Sequence, residues 1–531
     1  MPQVMCPSTK LIKHALWKQY GDTYRFFKRS LGVFLLLTHH LLVPAQAAER
    51  QTLRIGITSL PPTYGNPYGA TGLPGALTWQ QIYDGLTELD ENGHVRGALS
   101  TGWELVDPFT WRFHLRKNVH YSNGMPFDAR KAKAVFDWLQ SDVGRITIVG
   151  NEIKVIDKVT ASGEYELVIH TRQPDPILPN RLGIVMMVEP GIWRDEGPGA
   201  YSRKPVGTGS YVIDTWQNMN GAAKLVANPY AWRPPHIPVV EIFPLNDHAS
   251  RFQAAISRQL DLAQSIRPEE IDIFKKRGFD VYVDQTKQII GLAFDVVGHP
   301  NSPISDKRVR QALNYAVDKR AISKFITYGT HPPASQGAAP GVFGYNNSLS
   351  PYPYDPEKAR DLLVEAGYPD GFSMSATVVI GTYANDVEIY QKVQQDLAAI
   401  NVSITIHSTI FSDWIQQYIK GKWQTEAFSL AWNATPYNDA IRPMEYFSCK
   451  KSRPFFCKKS MMKELDRAAT ELDPKKREQI LFDLQRKFHE EAPQLFLLEY
   501  GHIWVASQEI TGFSLRDRVP PLNEIQFSEK Q

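Results

Sequence analysis

The chain lacks the short motifs that accompany most catalytic and nucleotide-binding sites. Its 531 residues contain no Gly-x-Ser-x-Gly elbow, no Walker-type phosphate loop, no His-Glu-x-x-His pair and no dinucleotide-binding fingerprint. The glycine turn at residues 207–209 lacks a third glycine, so we interpret it as a tight connection. Four scattered histidines lack metal-ligand spacing: His114, His120, His236 and His248. These absences argue against an enzyme, and the sequence predicts neither a cofactor nor a metal site.

Long apolar runs are also missing. The most apolar stretch, residues 31–43, has 13 residues, whereas a membrane-spanning helix needs about 20. Lys28 and Arg29 precede this stretch, and Ala45-Gln46-Ala47 follows it with the small-x-small pattern of a secretory cleavage site. The pattern predicts a signal peptide at residues 1–47, with an extended leader, and therefore an exported chain. A permanent membrane anchor is the alternative interpretation.

A large excess of one charge sign is absent as well. The chain carries 59 Lys and Arg against 56 Asp and Glu, and residues 1–47 hold six of the bases and one of the acids. The remainder therefore has a net charge of −2. We see in it no cluster of positive charge of the kind that nucleic-acid binding requires, so we predict no nucleic-acid partner.

Cysteine is scarce. Cys6 lies in the leader, which leaves Cys449 and Cys457 in the exported part. Two thiols eight positions apart in an exported chain predict a disulfide, and the loop-entropy model gives it about 2.5 kcal/mol. A metal site is the alternative, but the segment between the two cysteines has no histidine and no Cys-x-x-Cys pair.

Helix and strand signals alternate along the chain, which is typical of an α/β fold. Leu53, Ile55 and Ile57 alternate with polar residues and predict a short strand. Residues 374–380 and 402–406 read as strands on either side of a helix at 385–400, which together make one βαβ unit. The 484 residues that follow the leader exceed what one core usually serves, so two or more domains are expected.

Two further helices have clear start and stop signals. Asp355 is placed to cap a helix N-terminus, Pro356 suits its first position, and Gly367 suits a left-handed stop. A second amphipathic helix begins near Asp306. We interpret both helices as packing elements.

Four stretches of the chain, residues 111–139, 205–211, 306–322 and 354–372, resemble segments of one protein family. Residues 111–121 read Trp-Arg-Phe-His-Leu-Arg-Lys-Asn-Val-His-Tyr, residues 205–211 read Pro-Val-Gly-Thr-Gly-Ser-Tyr, residues 306–316 read Asp-Lys-Arg-Val-Arg-Gln-Ala-Leu-Asn-Tyr-Ala, and residues 354–360 read Tyr-Asp-Pro-Glu-Lys-Ala-Arg. In sequence, order and spacing they resemble the periplasmic solute-binding proteins of family 5, which serve ABC importers of oligopeptides, dipeptides, nickel and opines. The likeness covers nearly everything after residue 50.

The resemblance implies a two-lobed α/β fold of the periplasmic-binding-protein type II class, with three subdomains and a hinge between the lobes. The first lobe would be discontinuous and would carry an inserted subdomain. The implied ranges are residues 48–85, 205–289 and 501–531 for lobe 1, 86–204 for the inserted subdomain and 290–500 for lobe 2. The chain would cross the hinge near residues 289–294 and 498–503.

The resemblance also implies a compartment and partners. The protein would work in the periplasm and would bind a small molecule or a peptide. It would deliver this ligand to two transmembrane permease subunits that work with two ATP-binding subunits. A monomer without a cofactor is expected.

Residues 431–449 form the most site-like segment, because aromatic residues mix there with a few charges and turn formers. In family members that bind peptides, an acid in this loop pairs with the ligand's amino group, and Asp439 is the nearest match. The Asp-Pro-Asp-like run of those proteins is replaced here by Tyr437-Asn438-Asp439. This departure leaves open a carboxylate-bearing ligand held by Arg442. Alternatively, Asp439 and Arg442 pair with each other or cap a turn.

Aromatic residues complete the predicted site. Trp432 and Tyr437 are expected to contact the ligand from the second lobe, with a packing role as the alternative for Trp432. Tyr64, Tyr68 and Trp79 follow the first strand, and loops at the carboxyl ends of strands are where open α/β sheets bind ligands.

The sequence therefore favours the substrate-binding component of an ABC importer, with short peptides as the leading ligand class. The alternatives are the same fold with an opine, a nickel chelate or another small solute, and an exported sensor or chaperone-like protein that binds without transport. The mechanism implied is capture of the ligand between two lobes that exchange between open and closed forms.

Overall fold

The computed structural model describes residues 51–528 except residues 71, 74, 285–287, 435 and 517. The predicted signal peptide at residues 1–47 lies outside the described residues. Within the described part, no helix has the length and apolar character needed to cross a membrane.

Strands and helices alternate through the described chain. The strands are β1 Thr52–Ile57, β2 Thr87–Leu89, β3 Val95–Gly97, β4 Ser100–Asp107, β5 Thr110–Leu115, β6 Ile156–Ala161, β7 Glu166–Thr171, β8 Tyr211–Thr215, β9 Ala223–Ala227, β10 Val239–Pro244, β11 Leu262–Gln264, β12 Phe279–Val283, β13 Gln288–Phe294, β14 Phe372–Val379, β15 Val402–Thr409, β16 Ala427–Trp432, β17 Gln494–Tyr500, β18 Ile503–Ser507, β19 Ile510–Thr511 and β20 Gln526–Phe527. The α-helices are α1 Gly75–Ile82, α2 Ala129–Gln140, α3 Ile148–Glu152, α4 Leu178–Arg181, α5 Pro190–Tyr201, α6 His248–Ile256, α7 Ile271–Lys276, α8 Lys307–Ala316, α9 Lys319–Ala321, α10 Pro356–Glu365, α11 Asp386–Ala398, α12 Phe411–Lys420, α13 Ile441–Tyr446, α14 Met462–Thr470 and α15 Pro474–Glu491.

A seven-stranded mixed sheet forms the centre of one lobe, in the order β12-β18-β11-β1-β10-β9-β8. β1 lies in its middle and runs parallel to both neighbours, β10 and β11. Leu53, Ile55 and Ile57 are fully buried, as their alternation in the sequence predicts. We call the part of the molecule built on this sheet lobe 1.

A five-stranded sheet, in the order β15-β14-β16-β13-β17, forms the centre of the other lobe, which we call lobe 2. β14 and β15 pair in parallel over eight residues, and α11 connects them and packs against β15. This is the βαβ unit that the sequence predicts, and Val393 and Leu397 bury the inner face of its helix.

A four-stranded antiparallel sheet, β4-β5-β7-β6, forms a separate layer with helices α2 to α5, which we call the insert. Phe113, Leu167 and Ile169 are fully buried in it. Helix α2 is fixed at its start by Asp128, whose carboxylate accepts a hydrogen bond of 2.8 Å from the Lys131 N–H.

The predicted helix signals are confirmed in lobe 2. The Asp355 carboxylate accepts from the Lys358 N–H at 2.9 Å at the start of α10, and Gly367 follows the helix with a φ of 93°. The Asp306 carboxylate accepts from the Arg308 N–H at the start of α8. Both helices pack on the lobe 2 core.

The chain passes between the two large sheets twice. It leaves the seven-stranded sheet after β12 and enters the five-stranded sheet at β13, and it returns between β17 and β18. Residues 289–294, where the sequence places a hinge crossing, lie inside strand β13. The short connection between β17 and β18, residues 501–502, is therefore one of the places where the chain passes between the lobes.

Candidate functional site

The loop that follows strand β16 lies against the insert. It runs into helix α13, and the sequence singles it out as the ligand loop. Its four predicted site residues are all buried: Trp432, Tyr437, Asp439 and Arg442 have at most 6% of their surface exposed. One apolar cluster continues from this loop into the insert, where it includes Ile177 and Leu178. The loop therefore forms a contact between lobe 2 and the insert.

Glu152, at the end of α3 in the insert, is the polar centre of this contact. Its carboxylate accepts a hydrogen bond of 2.7 Å from Arg442 Nη2, and it also accepts from the hydroxyls of Tyr437 and Tyr446. All three donors belong to lobe 2. Arg442 also donates through Nη1 to the carbonyl of Asn433 at 2.7 Å, which fixes the guanidinium within its own loop. We call these four side chains, Glu152, Tyr437, Arg442 and Tyr446, the Glu152 clamp.

The electrostatics of the clamp favour a charged carboxylate. Burial by itself raises the pKa of Glu152, but the Arg442 charge and the hydrogen bonds from Tyr437, Tyr446 and Arg442 outweigh it, so that the net pKa is lowered. Burial opposes the charge of Arg442, and the Glu152 carboxylate more than offsets this and raises the Arg442 pKa. Burial raises the Tyr437 and Tyr446 pKa values, so both phenols stay protonated and donate.

Additional contacts join the same surfaces. The Asn180 side chain donates to the Tyr437 carbonyl at 2.7 Å, and the Arg181 guanidinium lies 5.0 Å from the centre of the Tyr437 ring. Asn438, which adopts a positive φ of 49°, donates to the carbonyl of Gly93 at 3.0 Å. Polar contacts between the two surfaces therefore extend beyond the clamp.

Asp439 is engaged within lobe 2. Both of its carboxylate oxygens accept from Arg477 of helix α15, at 2.6 and 2.9 Å, and the two side chains are each 3% exposed. The same carboxylate also accepts from the N–H of Ile441, the first residue of α13, at 2.9 Å. Asp439 and Arg442 do not pair with each other, because each has another partner.

Trp432 lies in the core of lobe 2. Its ring stacks on Phe447 with centroids 4.0 Å apart, and a Cβ placed at Gly337 would come within 2.0 Å of its indole. Gly337 therefore permits the close approach of backbone to ring, and Trp432 is 1% exposed. In this conformation the side chain packs against protein on both faces.

A cavity of about 90 Å³ lies beside the loop, where lobe 1, the insert and lobe 2 meet. Residues of all three parts line it, among them Trp79, Gln80, Tyr83, Asp84, Thr87, Glu88, Arg233, Pro436, Arg516, Val519, Pro521 and Asn523. Ligand sites usually measure about 300–1,000 Å³. A peptide could enter this cavity only if the lobes move apart.

Each charged residue that lines the cavity has a partner of opposite charge. Arg233 donates to both Glu88 oxygens at 2.9 Å and also to Asp84. Arg516 grips Glu524 with two hydrogen bonds of 2.7 Å. The cavity is consequently close to electrically neutral.

The three predicted residues of lobe 1 lie in different places. Trp79 lines the cavity, and its indole N–H donates to the Tyr64 carbonyl at 2.6 Å. The Tyr64 side chain is 45% exposed and lies edge-on to Trp216. Tyr68 is fully buried and lines a second cavity, of about 340 Å³, between α2 and α5 of the insert. The structure therefore brings Trp79 near the ligand loop but not Tyr64 or Tyr68.

Cys449 and Cys457 form the predicted disulfide just after α13. No group of three or more His, Cys, Asp or Glu residues in the described part of the chain is arranged to hold a metal ion.

Sequence reasoning missed Glu152, Arg477 and Arg516. Glu152 belongs to a short helix with no motif around it, and its partners lie about 290 positions away. Arg477 lies in the first turn of helix α15, whose sequence is rich in charged residues, and Arg516 lies near the C-terminus. No local pattern marks any of the three.

The comparison with protein families decides the identity of the chain. Residues 94–454, more than half of the chain, match the model of "Bacterial extracellular solute-binding proteins, family 5 Middle". The chain is a family 5 bacterial extracellular solute-binding protein. Proteins of this family are the periplasmic substrate-binding components of ABC importers.

Relatives of this solute-binding protein include the glutathione-binding protein GsiB of Salmonella typhimurium, which is 27% identical over 492 residues that cover 88% of this chain and 93% of the relative. Three solved structures share its fold. They are DppA of Helicobacter pylori in complex with the peptide STSA (TM-score 0.79, 19% identity, 90% and 98% of the two chains), AgaA of A. tumefaciens R10 with agropinic acid (0.78, 19%, 90% and 99%) and NikZ of Campylobacter jejuni with Ni(L-His) (0.77, 20%, 90% and 99%).

These structures confirm the two-lobed type II fold of the solute-binding protein. Sequence analysis was therefore correct about the family and the fold class. The contacts of its predicted ligand residues remain predictions.

Proposed function

We propose that this solute-binding protein captures short peptides in the cleft between lobes 1 and 2 and delivers them to an inner-membrane permease. The relatives support the ligand class, because GsiB is named for glutathione binding and DppA was solved with the peptide STSA.

The Glu152 clamp is the observation that carries the proposal. A buried carboxylate of the insert takes three hydrogen bonds from lobe 2. These bonds exist only while lobe 2 lies against the insert, and their polar atoms return to water when the lobes separate. The clamp therefore gives the closed form contacts that the open form lacks, which is what a capture mechanism requires.

The ligand supplies the remainder of the closing free energy. A shift from 1:99 to 99:1 in favour of the closed form needs about 5.5 kcal/mol of differential affinity. In our proposal the ligand contacts Trp79 from lobe 1 and the loop around Pro436 from lobe 2. Tyr437 and Arg442 act through the clamp, and Asp439 shapes the loop through Arg477. Roles for Tyr64, Tyr68 and Trp432 at the ligand stay predictions.

The wider setting of the proposal is an ABC importer. We propose that residues 1–47 are cleaved on export and that the mature monomer docks on two permease subunits served by two ATP-binding subunits. The proposed division places residues 48–85, 205–289 and 501–531 in lobe 1, 86–204 in the insert and 290–500 in lobe 2. We also propose that the protein binds its ligand without chemical turnover.

The test is to identify the bound solute and measure its affinity. Native mass spectrometry of protein purified from its own periplasm should show masses of dipeptides to pentapeptides or of glutathione. Isothermal titration calorimetry should then show binding of such peptides. Mass spectrometry of the peptides after incubation should recover them unchanged. A single metal-chelate or opine mass, with no heat from any peptide, would contradict the peptide assignment while leaving the capture mechanism in place.

A further inference from the structure

Two basic segments that lie far apart in the sequence form one surface in lobe 2. The first is helix α12 with the turn after it, residues 410–424, and the second is the disulfide loop and the residues after it, 449–460. Lys451 Nζ lies 3.5 Å from the centre of the Tyr418 ring of α12. Arg453 donates to the Lys420 carbonyl, and a Cβ placed at Gly421 would come within 2.5 Å of the Arg453 side chain. We call these two segments together the basic surface.

The basic surface has a strong excess of positive charge. The two segments contain seven Lys and Arg residues and a single acid, Asp413, although the chain after residue 47 has a net charge of −2. Lys450 pairs with Glu445 and Asp466, and Lys458 pairs with Glu491. Within the described part of the chain, the other five form no ion pair with an acid: Lys420, Lys422, Lys451, Arg453 and Lys459. Folding thus adds Lys420 and Lys422 to the five bases that lie together at residues 450–459.

Large apolar side chains project from the same surface. Ile410, Phe411 and Ile419 are 64%, 58% and 62% exposed, at the two ends of α12. The inner side of the helix is fixed by Trp414, which is 7% exposed and stacks on Tyr418. The disulfide between Cys449 and Cys457 closes the second segment into a loop. The exposed groups are therefore carried on an ordered support.

We propose that the basic surface binds the anionic surface of a phospholipid bilayer. Clustered Lys and Arg residues are attracted to anionic lipid headgroups, and bulky apolar side chains beside them can enter the boundary between headgroups and acyl chains. An acidic protein would satisfy the positive charges, but three exposed apolar side chains at the helix ends are better matched by a surface that is charged outside and apolar beneath. This contact would keep the binding protein at the membrane that holds its permease.

Vesicle co-sedimentation of the mature protein tests this inference directly. The protein should sediment with vesicles of phosphatidylcholine that contain about 40% phosphatidylglycerol, and it should stay in the supernatant with vesicles of pure phosphatidylcholine. High salt should release it, because the attraction is screened. Binding that is equal on both vesicle types, or no binding to the anionic vesicles, would overturn the inference.

A matched pair of charge reversals locates the contact. The variant K420E/K422E/R453E changes the basic surface, and K275E/K276E/R277E makes the same change in net charge at the exposed end of α7 in lobe 1. Each base near an anionic membrane contributes roughly a fivefold gain in affinity. The first variant should therefore lose at least about a hundredfold in vesicle affinity, and the second should lose little. Equal losses in the two variants would show that only net charge matters and would contradict the proposal.

A third variant separates a bilayer from an acidic protein. Replacement of the apolar groups in F411S/I419S leaves every charge in place, so it should weaken vesicle binding but not binding to a polyglutamate column. Retention of full vesicle binding by this variant, or capture by polyglutamate without capture by vesicles, would overturn the bilayer assignment. An unchanged melting temperature in all variants confirms that each is folded, so a failure of the peptide proposal leaves the vesicle result interpretable.

Discussion

Glu152 and Arg442 stand 290 positions apart in the sequence and form a 2.7 Å ion pair between the insert and lobe 2, with side chains that are 7% and 6% exposed. A buried pair of this kind has little net worth compared with an apolar contact, but the loss of one partner is costly because the other charge stays buried and unpaired. The pair therefore acts mainly as a requirement for correct closure. Closure with only one of the two partners present is strongly disfavoured.

Glu152→Gln should weaken ligand binding without changing ligand preference. The substitution keeps the shape of the side chain but leaves the Arg442 charge buried in the closed form, at a cost of about 3–5 kcal/mol. Affinity should fall by about two orders of magnitude or more. Calorimetry with the peptide found in the native protein measures this, and Glu104→Gln, at an exposed pair with Arg112 on the insert, is the matched control. An unchanged affinity in Glu152→Gln would remove the clamp from the mechanism.

Tyr446→Phe should have a smaller effect of the same kind. It removes one hydrogen bond to a charged carboxylate, which is worth about 1.5–3 kcal/mol, so the dissociation constant should rise roughly tenfold to a hundredfold. In the double variant with Glu152→Gln the two losses should not add, because the carboxylate that Tyr446 serves is already gone. Additive losses would mean that Tyr446 acts elsewhere.

Acidification should open the clamp. The pKa of Glu152 is lowered in the folded protein, so its contribution is fully present above the usual glutamate value of about 4.3 and is lost as the pH falls through the lower folded value. Peptide affinity should therefore hold between about pH 7 and pH 5 and drop below about pH 4. The comparison is with Glu152→Gln, whose affinity should change less over the same range. Parallel pH profiles would show that other groups cause the loss.

Asp439→Asn should lower the free energy of unfolding and should leave the ligand preference largely unchanged. It leaves Arg477 unpaired in the lobe 2 core, which costs about 3–5 kcal/mol of the free energy of unfolding. Adding Arg477→Met removes the unpaired charge and should restore much of the melting temperature. If Asp439 instead holds the amino group of the ligand, the double variant will regain stability but not peptide binding, and this result would support the prediction made from the sequence.

Removal of the disulfide should cost stability while leaving the closed state intact. Cys449→Ser with Cys457→Ser frees a short loop, for which the entropy model predicts a loss of about 2.5 kcal/mol. Denaturant unfolding measures this, and peptide affinity should change little. A large loss of peptide affinity would place the loop in the ligand site.

Local elements of this fold could be predicted from the sequence because their signals are local. Asp355, Pro356 and Gly367 lie within 13 residues of one another and determine the two ends of helix α10. The βαβ unit from β14 to β15 likewise follows from apolar spacing within one segment. In each case the backbone conformation is determined by residues that are close in the sequence.

The site could be predicted only in part, because its chemistry depends on distant partners. The composition of the loop marks residues 431–449 as a candidate site, but the same aromatic and charged residues suit a ligand contact and an interface between lobes equally well. Arg442 pairs with Glu152 and Asp439 pairs with Arg477, and neither Glu152 nor Arg477 lies in a recognisable sequence motif. Only the fold shows where those charges are used.

Single-molecule energy transfer between the insert and lobe 2 tests the central claim most directly. Dyes on Ser162→Cys and Ser403→Cys, both exposed positions, report the distance between the two parts. We predict that the bound peptide shifts the wild-type protein from a long-distance to a short-distance population, and that Glu152→Gln needs at least a hundredfold more peptide for the same shift. A distance distribution that no candidate solute changes, or an identical response in Glu152→Gln, would contradict capture by a clamp between the lobes.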